Sequence, residues 1–174
     1  MTKKTLKLHL SILISAQILI SSCYSSTFYL VRHAERLDQT EDTPLSEAGK
    51  KRGEDLALLL KDKQIDSVFV SKYQRTLQTA QPLLNELNQK TGVYETKPVT
   101  IIANRLKKLK GKNALMVGHN NNVIETAVAL GAKPTLKSIE HTDYDNLLIV
   151  KIKRRFFWER VSLTETTYGQ KTLP

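Results

Sequence analysis

The stretch that most constrains the fold of this chain is Phe28-Tyr29-Leu30-Val31-Arg32-His33-Ala34-Glu35. A short apolar run rich in aromatic and branched side chains stops abruptly at an arginine, a histidine and a carboxylate. A run of this length bounded by polar residues reads as a strand buried on both faces, the kind found in parallel sheets covered by helices. Such sheets gather ligands at the carboxyl ends of their strands. Arg32 and His33 are therefore expected at the rim of an α/β sheet.

Two more segments repeat the pattern. Asp66 to Val70 is a short strand that runs into Ser71-Lys72-Tyr73-Gln74-Arg75, and Ala114 to Val117 is a strand that runs into Gly118-His119-Asn120-Asn121. Each is followed by helical spacing: Leu77, Ala80, Leu84 and Leu87 in one case, Val123, Ile124, Ala127, Val128 and Leu130 in the other. Ser46 reads as the N-cap of a helix reaching about Lys63, after a polar loop over 34–45. Pro82 is expected to kink its helix by removing a donor, Gly92 to end it, and Gly131 to close the helix after His119. Val99 to Ala103 reads as a third strand and Asn104 to Lys110 as a short helix. Leu147 to Ile152 and Phe156 to Leu163 read as an antiparallel edge pair joined by the turn Lys153-Arg154-Arg155, with the aromatics in the core and the last ten residues a loose tail. The predicted fold is a three-layer α/β/α sandwich with a mainly parallel central sheet and an antiparallel edge.

In that arrangement Arg32, His33, Arg75 and His119 converge on one edge. Two guanidinium forks and two imidazoles suit a phosphate group, with helix N-termini adding backbone donors. A neutral histidine can attack phosphorus, and a protonated one can donate to a phosphate oxygen. Two histidines without acidic or cysteine partners make a poor metal site, so neither metal nor cofactor is expected. The formal charge of +10 suits an anionic partner, but no nucleic-acid-binding motif accompanies it. The leucines and lysines of Arg105 to Lys112 read as a solvated helix face, and His141 as a surface histidine.

The first 22 residues read as a signal peptide rather than as part of the fold. Lys3, Lys4 and Lys7 form a basic leader, Leu8 to Ile20 is apolar but short for a membrane span, and Ile20-Ser21-Ser22-Cys23 resembles a lipobox. Cys23 is the chain's one cysteine, which excludes an intramolecular disulfide. The expectation is a periplasmic or outer-membrane lipoprotein of a Gram-negative bacterium, lipidated at Cys23 and attached to the membrane through that anchor, with 23–174 as one domain. An ordinary cleaved signal peptide and an uncleaved anchor are the alternatives, and the oligomeric state is not legible.

Four motifs in order, Leu30-Val31-Arg32-His33-Ala34-Glu35, Pro44-Leu45-Ser46-Glu47-Ala48-Gly49, Ser71 to Ala80 and Val117-Gly118-His119-Asn120, resemble the histidine phosphatase (phosphoglycerate mutase-like) superfamily over about residues 27 to 152. The resemblance implies that His33 is the phosphorylated nucleophile, that Arg32 and Arg75 bind phosphate, and that His119 is the second histidine. It implies a metal-independent phosphatase acting on a small phosphorylated substrate. Ala34, where glycine is usual, is similar to a short subgroup resembling the phosphohistidine phosphatase SixA. The glutamate that serves mutase-like members as general acid has no counterpart: between Arg75 and His119 the carboxylates are Glu86 and Glu95, and neither matches. The insertion that covers sugar-phosphate sites is also missing. Glu35, two residues past His33, is the substitute candidate for the acid, with salt-bridging to Arg36 or Arg32 as its alternative role, and Asp145 is a second candidate. A weakly active or inactive module that binds phosphorylated ligands is the competing function.

Overall fold

The computed structural model describes residues 23–172; residues 1–22, read from the sequence as a signal peptide, lie outside them. In chain order the elements are β1 (Tyr24–Arg32), α1 (Glu47–Leu60), β2 (Ile65–Val70), α2 (Gln74–Leu87), β3 (Thr91–Val93), α3 (Val99–Lys108), β4 (Asn113–Gly118), α4 (Asn120–Ala129), β5 (Asn146–Arg155) and β6 (Trp158–Thr167). The sheet order is β3-β2-β4-β1-β5-β6. β3, β2, β4 and β1 are parallel, whereas β5 pairs antiparallel with β1 and β6 antiparallel with β5. This is the mainly parallel sheet with an antiparallel edge expected from the sequence.

The period-two geometry of a strand produces the three layers. Phe28 and Leu30 of β1 and Met116 of β4 pack with Ile102, Leu106, Val123 and Ala127 of α3 and α4. Tyr29 and Val31, one residue out of phase, pack with Leu56, Leu60, Leu83 and Leu84 of α1 and α2, together with Leu115 and Val117 of β4. Phe28, Leu30 and Val31 are 0 to 1% exposed, and burying a side chain of that size contributes about 2 kcal/mol. β1 is thus clamped from both faces, which holds its polar end still.

α1 begins where Ser46 Oγ accepts from the Gly49 N–H at 3.1 Å. A Cβ at Gly49 would run into the Glu35 carbonyl, so glycine lets the helix start lie against the loop after β1. α2 runs on through Pro82.

Four local expectations need correction. Val99 to Ala103 is not a strand but the start of α3, because Ile102, Ala103 and Leu106 form one buried helical face; the branched residues around them favour strand only in isolation. α2 ends not at Gly92 but at Asn88, which adopts the left-handed conformation at φ 47°, and Gly92 lies in β3 against the Phe69 ring. Lys153-Arg154-Arg155 belongs to β5, and the turn is Phe156-Phe157, whose aromatics stand in solvent instead of the core. The chain end is no loose tail as far as Thr172: Tyr168 is buried, its N–H donates to the Asp145 carbonyl at 2.9 Å, and the Thr172 N–H donates to Asp145 Oδ2 at 3.0 Å.

Candidate active site

Parallel register brings the polar clusters together. Arg32 pairs with Gly118 across β1 and β4, and Val70 pairs with Val117 across β2 and β4. The residues just beyond, His33, Ser71 and His119, therefore emerge side by side. The His33 N–H donates to the Gly118 carbonyl at 2.9 Å. The rings of His33 and His119 meet edge to face with centroids 5.3 Å apart, and His119 Nε2 is 2.9 Å from Ser71 Oγ. At the start of α4, Asn122 Oδ1 accepts from the His119 N–H at 2.8 Å, fixing the backbone that carries the second histidine.

Both arginines are held by neutral groups. Arg32 Nη1 donates to the carbonyls of Glu140, His141 and Asp143 at 2.6, 3.1 and 3.0 Å, and Arg75 Nη1 donates to the Glu41 carbonyl at 2.6 Å. Each guanidinium lies over a tyrosine ring, Arg32 over Tyr144 at 4.2 Å and Arg75 over Tyr73 at 4.3 Å. Among the described residues neither forms an ion pair with a carboxylate. The Nε atoms of both are buried without a partner, and buried donors are left so only where something else satisfies them. Burial first, then the neighbouring Arg36 charge, pulls the Arg32 and Arg75 pKa values below the ordinary guanidinium range. An opposite charge placed against the two guanidinium groups would offset the burial and the mutual repulsion.

The tautomer of His33 follows from one contact. Its Nδ1 lies 2.8 Å from the Ala34 carbonyl oxygen, which can only accept, so Nδ1 carries the proton. Burial, reinforced by the charges of Arg32, His119 and Arg75, lowers the His33 pKa to about 2 although that hydrogen bond opposes the shift. The ring is neutral, and a neutral ring protonated at Nδ1 has its lone pair on Nε2. Burial likewise lowers His119 to about 4, with Arg75 and Arg32 adding to the effect. Thr79 completes the support: its Oγ1 accepts from the Ala34 N–H at 2.9 Å and donates to the Arg75 carbonyl at 2.7 Å, tying the histidine loop to the arginine helix.

The structure brings Arg32, His33, Arg75 and His119 together and directs the remaining candidates elsewhere. Glu35 accepts from Arg52 Nε and Nη2 at 2.7 to 3.0 Å, so it takes an ion-pair role, with a partner that sequence reading did not single out. Asp145 is buried and holds the chain end through Thr172. His141 is exposed; its carbonyl serves Arg32, and the residue borders a cavity of about 400 Å³ with Glu35, Arg36, Gln39 and Tyr144. Tyr73 and Tyr144 are site residues that the sequence did not assign. Tyr73 lies two positions before Arg75 within the Ser71 motif, and the Tyr144 ring is 6.1 Å from His33. Cys23 is exposed, at the opposite end of β1. No group of three or more His, Cys, Asp or Glu side chains among the described residues is placed to hold a metal ion.

Fold and site together define an α/β protein that gathers paired arginines and paired histidines at the carboxyl edge of its sheet. Residues 28–98, which include His33 and Arg75, match the family model of the histidine phosphatase superfamily (branch 1). That match covers less than half of the chain, and solved structures of low identity share the fold of the described residues. The protein histidine phosphatase SixA complexed with tungstate superposes with a TM-score of 0.59 at 20% identity, over 81% of this chain and 96% of its own. Mycobacterial glucosyl-3-phosphoglycerate phosphatase gives 0.59 at 14% identity, over 80% and 98%. Phosphoserine phosphatase from Entamoeba histolytica gives 0.53 at 14% identity, over 84% and 98%. No curated protein matches the sequence.

Proposed function

We propose that this protein is a metal-independent phosphatase that works through a phosphohistidine on His33. The observation that carries this reading is the Nδ1 contact to the Ala34 carbonyl, which leaves Nε2 of a neutral imidazole as the nucleophile beside two arginines lacking anionic partners. In the first step Nε2 bonds to phosphorus and the bond to the leaving group breaks, with Arg32 and Arg75 holding the non-bridging oxygens. His119, driven to take up a proton by the arriving dianion, donates to a non-bridging oxygen. Water then attacks phosphorus, the P–N bond breaks, and inorganic phosphate leaves with His33 regenerated.

The leaving group decides the substrate class. General acid catalysis contributes roughly 10²–10⁴-fold where an alkoxide must depart. Glu35 and Asp145 are both held in other contacts. This favours compounds that need no proton from the enzyme, aryl phosphates that release a phenolate and phosphoramidates whose nitrogen already carries its proton and leaves neutral, over simple sugar phosphates. The same observation supports the second reading, a phospho-ligand-binding module with little turnover. We also propose, from the sequence before Cys23, that the protein is exported and held at the bacterial envelope by a lipid on that cysteine, so that its substrate is an exported or periplasmic phosphate compound.

The test is a turnover screen of aryl phosphates, sugar phosphates and phosphohistidine, with His33→Ala as the blank, followed by acid-quenched and neutral-quenched trapping of labelled protein. Acid-labile label on wild type and none on His33→Ala is the expected result. Saturable phosphate binding without turnover on any substrate establishes the binding module instead.

A further inference from the structure

The end of the molecule opposite the pocket carries a surface that catalysis does not use. β5 and β6 are joined by Phe156 and Phe157 alone, with Arg155 paired to Trp158. Two-residue hairpin turns favour Asn-Gly or Gly pairs, because the central residues take positive φ. Here Phe156 takes φ 55°, a conformation that bulky side chains avoid. Phe157 is 94% exposed and Trp158 81%. Three successive aromatics stand in solvent where folding alone selects small polar residues, and a contiguous exposed apolar patch marks an interaction site.

Two further observations identify what it meets. Tyr24 pairs antiparallel with Arg154, so Cys23 is level with Arg155 at the hairpin tip, and the apolar stretch Leu8 to Ile20 precedes it in the sequence. The loop after α3 lies at the same end, since Ser26 Oγ donates to the Leu109 carbonyl and accepts from the Gly111 N–H, both at 2.9 Å. Lys112 and Arg154 there are paired with Asp66 and Glu159. Lys107, Lys108, Lys110, Lys153 and Arg155 have no carboxylate partner among the described residues.

We propose that this end docks on an anionic lipid bilayer, with Phe156, Phe157 and Trp158 in the interfacial layer and the free lysines and Arg155 on the headgroups. Aromatic side chains settle at that depth, and basic groups gain from the negative surface potential. Among the described residues no helix is long and apolar enough to cross a membrane, so the contact is one of surface insertion. β1 runs from Tyr24 at this end to Arg32 at the other, which places His33 roughly 30 Å away with the catalytic cluster turned from the bilayer. The proposal rests on the envelope reading for the lipid tether at Cys23, but not on catalysis.

Trp158 is the single tryptophan of the chain and reports the contact directly. The processed protein, lipidated at Cys23, is reconstituted into vesicles of phosphatidylglycerol and phosphatidylcholine, and into phosphatidylcholine alone. The expected result is Trp158 emission shifted to shorter wavelength, protected from acrylamide and quenched by lipids brominated near the headgroup, more strongly in the anionic vesicles and less so at high salt. Phe157→Ser, at a fully exposed position, should weaken the lipid quenching while leaving turnover unchanged. Association with Trp158 still water-like overturns the proposal and leaves the tether standing; failure to associate at all overturns both. A shift that follows protein concentration in the absence of lipid, or one produced by a polynucleotide in place of vesicles, also overturns it by assigning the surface to a second copy or to nucleic acid.

Discussion

Glu35 and Arg52 form a two-pronged ion pair, with Arg52 Nε and Nη2 both on the Glu35 carboxylate. Arg52 is 3% exposed and also donates to the Tyr168 carbonyl at 3.0 Å. Burial penalises its charge, and the Glu35 carboxylate more than offsets this, leaving the Arg52 pKa above its ordinary value. The pair joins the loop after His33 to α1 and to the chain end. Glu35→Ala strands a buried guanidinium, so the expected loss of stability is about 3 kcal/mol. Glu35→Gln keeps two acceptor lone pairs facing the fork and should lose less. If Glu35 is structural, turnover of aryl phosphates by folded Glu35→Gln stays within a few-fold of wild type while its urea midpoint falls. A collapse of kcat with an unchanged midpoint returns the carboxylate to the role of acid.

The two histidines make stability depend on pH in a defined direction. Folded His33 and His119 have pKa values lowered to about 2 and about 4, while in the unfolded chain each titrates near 6.5. The unfolded state therefore binds more protons below about pH 6.5, and stability falls as pH falls from there. The His119 contribution levels off near pH 4, whereas that of His33 continues lower. Each histidine contributes at most about 1.4 kcal/mol per pH unit. Urea midpoints compared at pH 6.5 and 5 isolate them from the carboxylates, whose titration lies lower. A drop that shrinks in His119→Gln is expected; a flat profile means the imidazoles are not held neutral.

How much of this was legible in the chain depends on the range of the contacts involved. Arg32, His33, Arg75 and His119 were readable because each follows an apolar strand, and parallel strands deliver their ends to one edge whatever the loops do. The Glu35–Arg52 pair was not, since its partners come from different elements and nothing local marks Arg52, which occupies an unremarkable turn of α1. Nor was the anchoring of Tyr168, whose partner Arg52 lies 116 positions away. Val99 to Ala103 misled because valine, threonine and isoleucine favour strands in isolation, whereas Ile102, Ala103 and Leu106 are claimed by a helical face. Phe156 to Trp158 misled for the opposite reason: aromatics suggest a core, and only the hairpin register shows that they form a tip.

Gly118 is a tight position. A Cβ there would collide with Asn122 Oδ1 and come within 2.9 Å of Tyr94 Oη and Met116 Cε. Asn122 is the residue that caps His119, so Gly118→Ala should disturb the cap and the second histidine together. The expected cost is about 1–2 kcal/mol in stability with a larger proportional loss in turnover. Thermal melting and kcat on the same preparation check it; wild-type values for both would mean that the α4 start moves freely.

Arg75 offers the sharpest separation of charge from geometry. Its Nη1 is committed to the Glu41 carbonyl, its plane lies over Tyr73, and its Nε is buried without a partner. A phosphate that enters beside His33 finds a fork already oriented and already desolvated, so little ordering remains to be done on binding. Arg75→Lys keeps the positive charge but loses the planar fork, the stacking on Tyr73 and the Nε donor. Inorganic phosphate should then inhibit about tenfold more weakly, equivalent to about 1.4 kcal/mol, and phosphoenzyme formation should slow by at least as much, because in the proposed reaction the arginine also holds the transferring group. Unaltered phosphate inhibition in Arg75→Lys would mean that charge alone matters there, and would transfer the oriented contacts to Arg32.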